Sequence, residues 1–194
     1  MTVRGVEVEV SVRDRQGPAL AAALPVTLVL DRLRSAHNVG NIFRLAEALR
    51  AERVITCGYT ATPPHPKLAK TARGCDLLVP CEHYESAALA VQALRAAGYW
   101  ICALETAVGA AAVWDVTFRF PAALLFGNEA LGVSTAALLP CDAVACLPAL
   151  GVKNSINVGN CAAVALYEAW RQWQRASVSS NHVQLSTDHP QNHS

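Results

Sequence analysis

Five polar residues with chemical potential stand in three glycine- and amide-rich stretches of this 194-residue chain. Asn38 and Arg44 lie in SAHNVGNIFR (35–44), Glu129 in FGNEALG (126–132), and Ser155 and Asn157 in LPALGVKNSIN (147–157). Amides and a hydroxyl orient a ligand by hydrogen bonds, and a guanidinium grips a phosphate as a planar fork. Glycines and small residues let the backbone approach a ligand closely. The set offers no hydrolytic triad: no Ser-His-Asp arrangement is suggested and GxSxG is absent. It is no phosphate loop either, since neither GxGxxG after the first strand nor GxxxxGK[ST] occurs. Cys75, Cys81 and His83 come closest to a metal set, but the chain has no CxxC, so no metal is expected.

Each residue also has an architectural reading. Arg44 can pair with Glu47 along a helix face. Asn38 can cap the helix that starts after it, and Asn154 or Ser155 can cap the last helix, leaving Asn157 in its first turn. Glu129 can sit in a turn. What favours a site is the joint arrangement, because each stretch follows a strand, and ligands of open α/β sheets bind beyond the carboxyl ends of strands.

Those strands are legible. VTLVLD (26–31), RVITCGY (53–59), LLVPC (77–81), YWICALE (99–105), AALLFG (122–127) and AVACLP (143–148) are short apolar runs bounded by turn signals. Between them, Ile42, Leu45, Ala46 and Leu49 recur at helical spacing in NIFRLAEALR (41–50). ESAALAVQALRAAG (85–98) is a helix closed by Gly98. KLAKTAR reads as a short helix after the proline-rich loop that begins at Thr60, and residues 154–175 as the last long helix; 106–121 read as a turn and a short helix. Strands alternating with helices predict an α/β domain, a mostly parallel sheet with helices on both faces. The domain is expected over 25–176, after a short extension (1–24). The polar segment 177–194 has no period and reads as disordered.

Hydrophobic residues make up 53% of the chain and charged residues 16%. No run of 18 apolar residues occurs, so no membrane span is predicted; the apolar excess fits a large core or a permanent dimer interface. The N-terminus lacks the apolar core of a signal peptide. Seven cysteines, mostly inside apolar runs, read as reduced thiols of a cytoplasmic protein. Net charge is only +1, yet residues 31–75 hold eight lysines or arginines against three acidic residues. Such a stripe either binds phosphates or is a solvated face.

Taken together, N-x-G-x-x-x-R (Asn38 to Arg44), G-x-E-x-x-G (Gly127 to Gly132) and the segment from Leu147-Pro148 to Ser155-Ile156-Asn157-Val158 resemble, in order and spacing, the SpoU-type (TrmH-type) RNA 2′-O-ribose methyltransferases of the SPOUT superfamily. The resemblance covers roughly residues 25–175. It implies a C-terminal trefoil knot, S-adenosyl-L-methionine as cofactor, an RNA substrate (tRNA or rRNA) and a homodimer built on the last helix. It further implies a cofactor pocket walled by Leu104, Gly127, Leu147, Ser155 and Ile156. The resemblance also gives Arg44 the central catalytic role, with Asn38, Glu129, Ser155 and Asn157 orienting the site. Gly159 and Asn160 depart from the family's usual small pair after Asn157-Val158. A non-catalytic RNA-binding domain of the same fold is the alternative.

Overall fold

The computed structural model describes residues 2–3, 6–7 and 23–185, with side-chain burial from 23 to 177. Strands β1 (Thr2–Val3) and β2 (Val6–Glu7) pair antiparallel. The rest of the expected N-terminal extension, apart from Ala23 and Leu24, lies outside the described residues.

From Leu24 onward the chain alternates as predicted: β3 (Leu24–Asp31), α1 (Ala36–Ala48), β4 (Ala51–Cys57), α2 (Pro66–Ala72), β5 (Cys81–Tyr84), α3 (Ala87–Ala96), β6 (Trp100–Leu104), β7 (Ala111–Ala112), β8 (Ala122–Phe126), α4 (Thr135–Leu138), β9 (Ala143–Cys146) and α5 (Val158–Leu185). The seven strands from β3 to β9 form one parallel sheet in the order β5-β4-β3-β8-β6-β9-β7. The chain first builds outward from β3 to β5. It then crosses to β6 on the other side and returns β8 to the gap beside β3. The carboxyl ends of β3, β6, β8 and β9 thus open onto one edge, at the point where the winding reverses.

Burial shows why these strands read as continuous apolar runs. Alternate residues point to opposite faces. Leu28 and Leu30 of β3, Leu124 and Phe126 of β8, and Cys102 and Leu104 of β6 face one core, with Ile42, Phe43, Leu68, Ala162 and Leu166 from α1, α2 and α5. Val29, Leu125 and Ala103 face the other, with Ala90, Val91 and Leu94 from α3 and Ala137 from α4. Both faces are covered, as the α/β reading requires.

Four boundaries differ from expectation. The strand expected at 77–81 is displaced: Cys75–Leu77 is a 3₁₀ turn and β5 starts at Cys81. Pro80 has no N–H to give a ladder, but its carbonyl accepts the Val54 amide at 2.9 Å and so leads into the pairing. Residues 106–121 hold β7 and a 3₁₀ turn at Val113–Asp115. Helix α1 starts at Ala36, capped by the Ser35 hydroxyl, which accepts the Asn38 amide at 3.3 Å; Asn38 is therefore inside the first turn and not its cap. Helix α5 starts at Val158 and runs to Leu185, into the segment read as disordered from Ser177; residues 186–194 lie outside the described residues.

The glycine of N-x-G-x-x-x-R has a packing reason. A Cβ on Gly40 would stand 2.7 Å from the Leu68 carbonyl oxygen and 2.8 Å from the Thr71 Cβ. Helix α1 lies that close to the backbone of α2, and backbone cannot step aside as a flexible side chain can. Gly40→Ala is expected to cost about 1–3 kcal/mol by overpacking, read as a lower urea midpoint with an unchanged slope.

Candidate functional site

Three loops meet at the carboxyl edge of the sheet, and a chain of hydrogen bonds joins them. The Glu129 carboxylate accepts the Arg34 amide at 2.9 Å, the Ser35 amide at 3.3 Å and the Asn38 Nδ2 at 2.9 Å. The other end of the Asn38 amide, Oδ1, accepts the Asn157 Nδ2 at 3.1 Å. Asn157 Oδ1 in turn accepts the Gly159 amide at 2.9 Å and the Asn160 amide at 3.4 Å. Asn157 is thus the residue that caps α5, in place of Asn154 or Ser155. The cap and the site are one side chain: its oxygen starts the helix and its nitrogen reaches Asn38.

Burial pushes the Glu129 carboxyl up, but the donors from Arg34, Asn38 and Ser35 outweigh it and hold the group below its ordinary value. The carboxylate serves as an acceptor that orients Asn38. With its Oε1 receiving Nδ2, Asn38 must turn Oδ1 toward Asn157, so the orientation of both amides is fixed by the charge at one end.

Behind this mouth lies a cavity of about 730 Å³, within the range of about 300–1,000 Å³ usual for small-molecule sites. It is walled by Leu104, Phe126, Gly127, Leu147, Ser155 and Ile156 among others, with Glu129 and Asn157 at its edge. All five residues expected to hold a cofactor therefore line one cavity. Ser155 lies exposed on its rim. Asn38 joins the cavity through its bonds to Glu129 and Asn157. Arg44 is not part of the lining. It is exposed on α1, and its side chain makes no hydrogen bond or ion pair with Glu47 or any other described residue. It follows Asn41 by three residues on the same helix face, and the Asn41 amide lies against Gly159, where a Cβ would come within 2.9 Å of its Nδ2.

Several residues that shape the site escaped the sequence reading. Asn128, buried, donates to the Arg32 carbonyl and the Tyr59 hydroxyl, both at 2.7 Å, and accepts the Ala130 and Leu131 amides at 2.8 and 2.9 Å. It folds the 127–132 loop and ties it to the end of β3. Asp31, also buried, accepts the Ser134 amide at 2.8 Å. Glu105 accepts the Thr106 and Val133 amides, both at 2.8 Å. The signal for the two acids was available: each ends a strand at the ligand-binding edge. Among the described residues no group of His, Cys, Asp and Glu could hold a metal, and no helix is long and apolar enough to cross a membrane.

The model of the SpoU rRNA methylase family matches residues 25–167. The 23S rRNA (uridine(2479)-2′-O)-methyltransferase of Streptomyces viridochromogenes is 36% identical over 75% of this chain and 52% of its own length. The 23S rRNA (guanosine-2′-O-)-methyltransferase RlmB of Ralstonia nicotianae is 32% identical over 76% of this chain and 59% of its own. The crystal structure of the SpoU methyltransferase AviRb from Streptomyces viridochromogenes with the cofactor AdoMet superposes with a TM-score of 0.70 at 33% identity, over 81% of this chain and 63% of that one. The chain thus spans a little over half the length of these two curated relatives.

The depressed Glu129 carboxyl gives a pH test. Its contribution to stability is present above the ordinary value of 4.5 and is lost as the pH falls through the lower folded-state value. Glu129→Gln is expected to be less stable than the parent at pH 7, with the gap closing as urea titrations are repeated below pH 4.5.

Proposed function

Because the chain belongs to the SpoU rRNA methylase family, we propose that it is an RNA 2′-O-ribose methyltransferase that takes its methyl group from S-adenosyl-L-methionine. The observation that carries this reading is the Glu129–Asn38–Asn157 chain, which draws three separate motifs to the mouth of one cavity. The cavity fits the cofactor: it has the volume, the apolar side chains of Leu104, Leu147 and Ile156 for a purine face, and loop backbone at Gly127 and Gly132 for polar edges. When bound there, the cofactor supplies an activated methyl on a sulfonium.

The chain's own residues do the rest. Asn38 and Asn157, with amides oriented by Glu129, hold a ribose hydroxyl in line with the cavity, and such alignment contributes much of a transfer's acceleration. Arg44, exposed and unpaired among the described residues, grips the phosphate beside that ribose. A guanidinium stays charged, so its role is to position the phosphate and hydroxyl while the proton leaves to solvent or phosphate oxygen. Ser155 supports the rim. The cations of 31–75 track the RNA strand, which is tRNA or rRNA. The alternative, an RNA-binding domain without turnover, is disfavoured by the intact network and by relatives named as methyltransferases.

The same reading takes residues 25–176 as the catalytic domain, with a C-terminal trefoil knot. In its support, the segment entering α5 and the 127–133 loop wall the same cavity. It also takes the protein as a homodimer. Trp114, Val164 and Tyr167 are half exposed along one apolar face of α5 and the Val113–Asp115 turn, which a second copy would cover. Seven unpaired thiols agree with a cytoplasmic location.

Transfer of tritiated methyl to bulk RNA tests the activity, and absence of transfer by well-folded protein refutes it. Arg44→Ala is expected to abolish that transfer while calorimetry shows nearly unchanged cofactor binding. Asn157→Ser keeps an oxygen to cap α5 but removes the amide Nδ2 that reaches Asn38, leaving only a shorter hydroxyl. It is expected to leave the thermal midpoint within a few degrees of the parent and to cut transfer at least about a hundredfold, the scale of losing one preorganised donor.

A further inference from the structure

The cavity carries charge of one sign. Glu105 and Glu129 line it, and among the described residues no lysine, arginine or histidine does. Glu129 spends its oxygens on Arg34, Ser35 and Asn38. Glu105, at the end of β6, stands deeper in the wall and is only partly exposed. Its Oε1 accepts the Thr106 amide at 2.8 Å and hydroxyl at 3.3 Å; its Oε2 accepts the Val133 amide at 2.8 Å. These neutral donors orient the carboxylate without cancelling its charge, and it has no ion-pair partner among the described residues. The fold makes room for it: Gly132, at φ +68°, would place a Cβ 2.3 Å from Glu105 Oε2. The last glycine of GNEALG is therefore required by a carboxylate 27 residues earlier as well as by its own backbone.

We propose that Glu105 is a charge-selecting residue that makes the cavity favour the cationic methyl donor over the neutral product. The proposal rests on the reading of the cavity as the S-adenosylmethionine site. The donor's sulfonium and ammonium outweigh its carboxylate by one positive charge. As the O–CH₃ bond forms and the S–CH₃ bond breaks, the bonding pair stays on sulfur and the hydroxyl proton leaves. The thioether product is then neutral overall. The reaction thus removes the charge that Glu105 attracts, and product departure becomes easier at the moment of transfer.

Calorimetry on the full chain with S-adenosylmethionine, S-adenosylhomocysteine and sinefungin, an unreactive analogue with an ammonium near the sulfonium position, tests this. Glu105→Gln is expected to weaken both cationic ligands about tenfold relative to S-adenosylhomocysteine, the scale of one charge–charge contact in a partly solvated wall. Glu105→Asp, which keeps the charge, is expected to preserve the parent's ratio. Equal losses for all three ligands, or no losses, overturn the proposal and leave Glu105 as a loop fastener. If circular dichroism shows Glu105→Gln unfolded, Glu105→Ala, with no amide hydrogens to oppose the Val133 N–H, reads the same ratio. Parent protein that binds none of the three overturns the cofactor reading and this proposal with it; binding with an unchanged ratio in the variants overturns this proposal alone.

Discussion

Glu129 accepts hydrogen bonds from the Arg34 and Ser35 amides and from Asn38, and the mouth of the cavity is organised around that carboxylate. A carboxylate only accepts, so every group it meets must present a donor. That requirement turns the Asn38 amide one way round, which turns Asn157, which sets the first turn of α5. Orientation passes from the end of β3 through the β8 loop to the last helix without a second charge in the chain. Polar networks of this kind are effective only when each member is satisfied, and here the described members are.

Sterics reinforce the same assembly. Gly127 would place a Cβ 2.2 Å from the Val133 amide nitrogen, Gly132 meets Glu105, and Gly40 meets the backbone of α2. Two of these glycines admit a polypeptide backbone and one admits a carboxylate. Gly159 admits the Asn41 amide against the start of α5. A polar side chain of α1 thus occupies the space a larger residue there would need.

The sheet was legible because its strands are buried on both faces, so that each stands out as an apolar run between turn signals. The site was legible because its polar residues stand where those strands end. What escaped were distinctions that local sequence cannot carry. Asn38 looks like a helix cap and Asn157 like a first-turn residue; the positions are reversed, because Ser35 already holds the first turn of α1 and Asn157 holds that of α5. Asn128 in its loop and Glu105 at its strand end draw no role of their own until partners 69 and 28 residues away come within reach. The strand expected at Leu77 shifts to Cys81 because a proline stands before the ladder, a constraint visible in sequence but outweighed there by hydrophobicity.

Asn157 belongs to two structures at once, the helix it caps and the network it closes. Fraying of the first turn of α5 would withdraw its Nδ2 from Asn38, and loosening of Asn38 would free the side chain that holds the turn. Local opening of the helix start and loss of the site are then a single cooperative event rather than two independent ones. The beginning of α5, which stands at the edge of an exposed segment from Gly151 to Asn157, should be as protected from hydrogen exchange as the cavity mouth itself, and its protection should rise with anything that occupies the cavity.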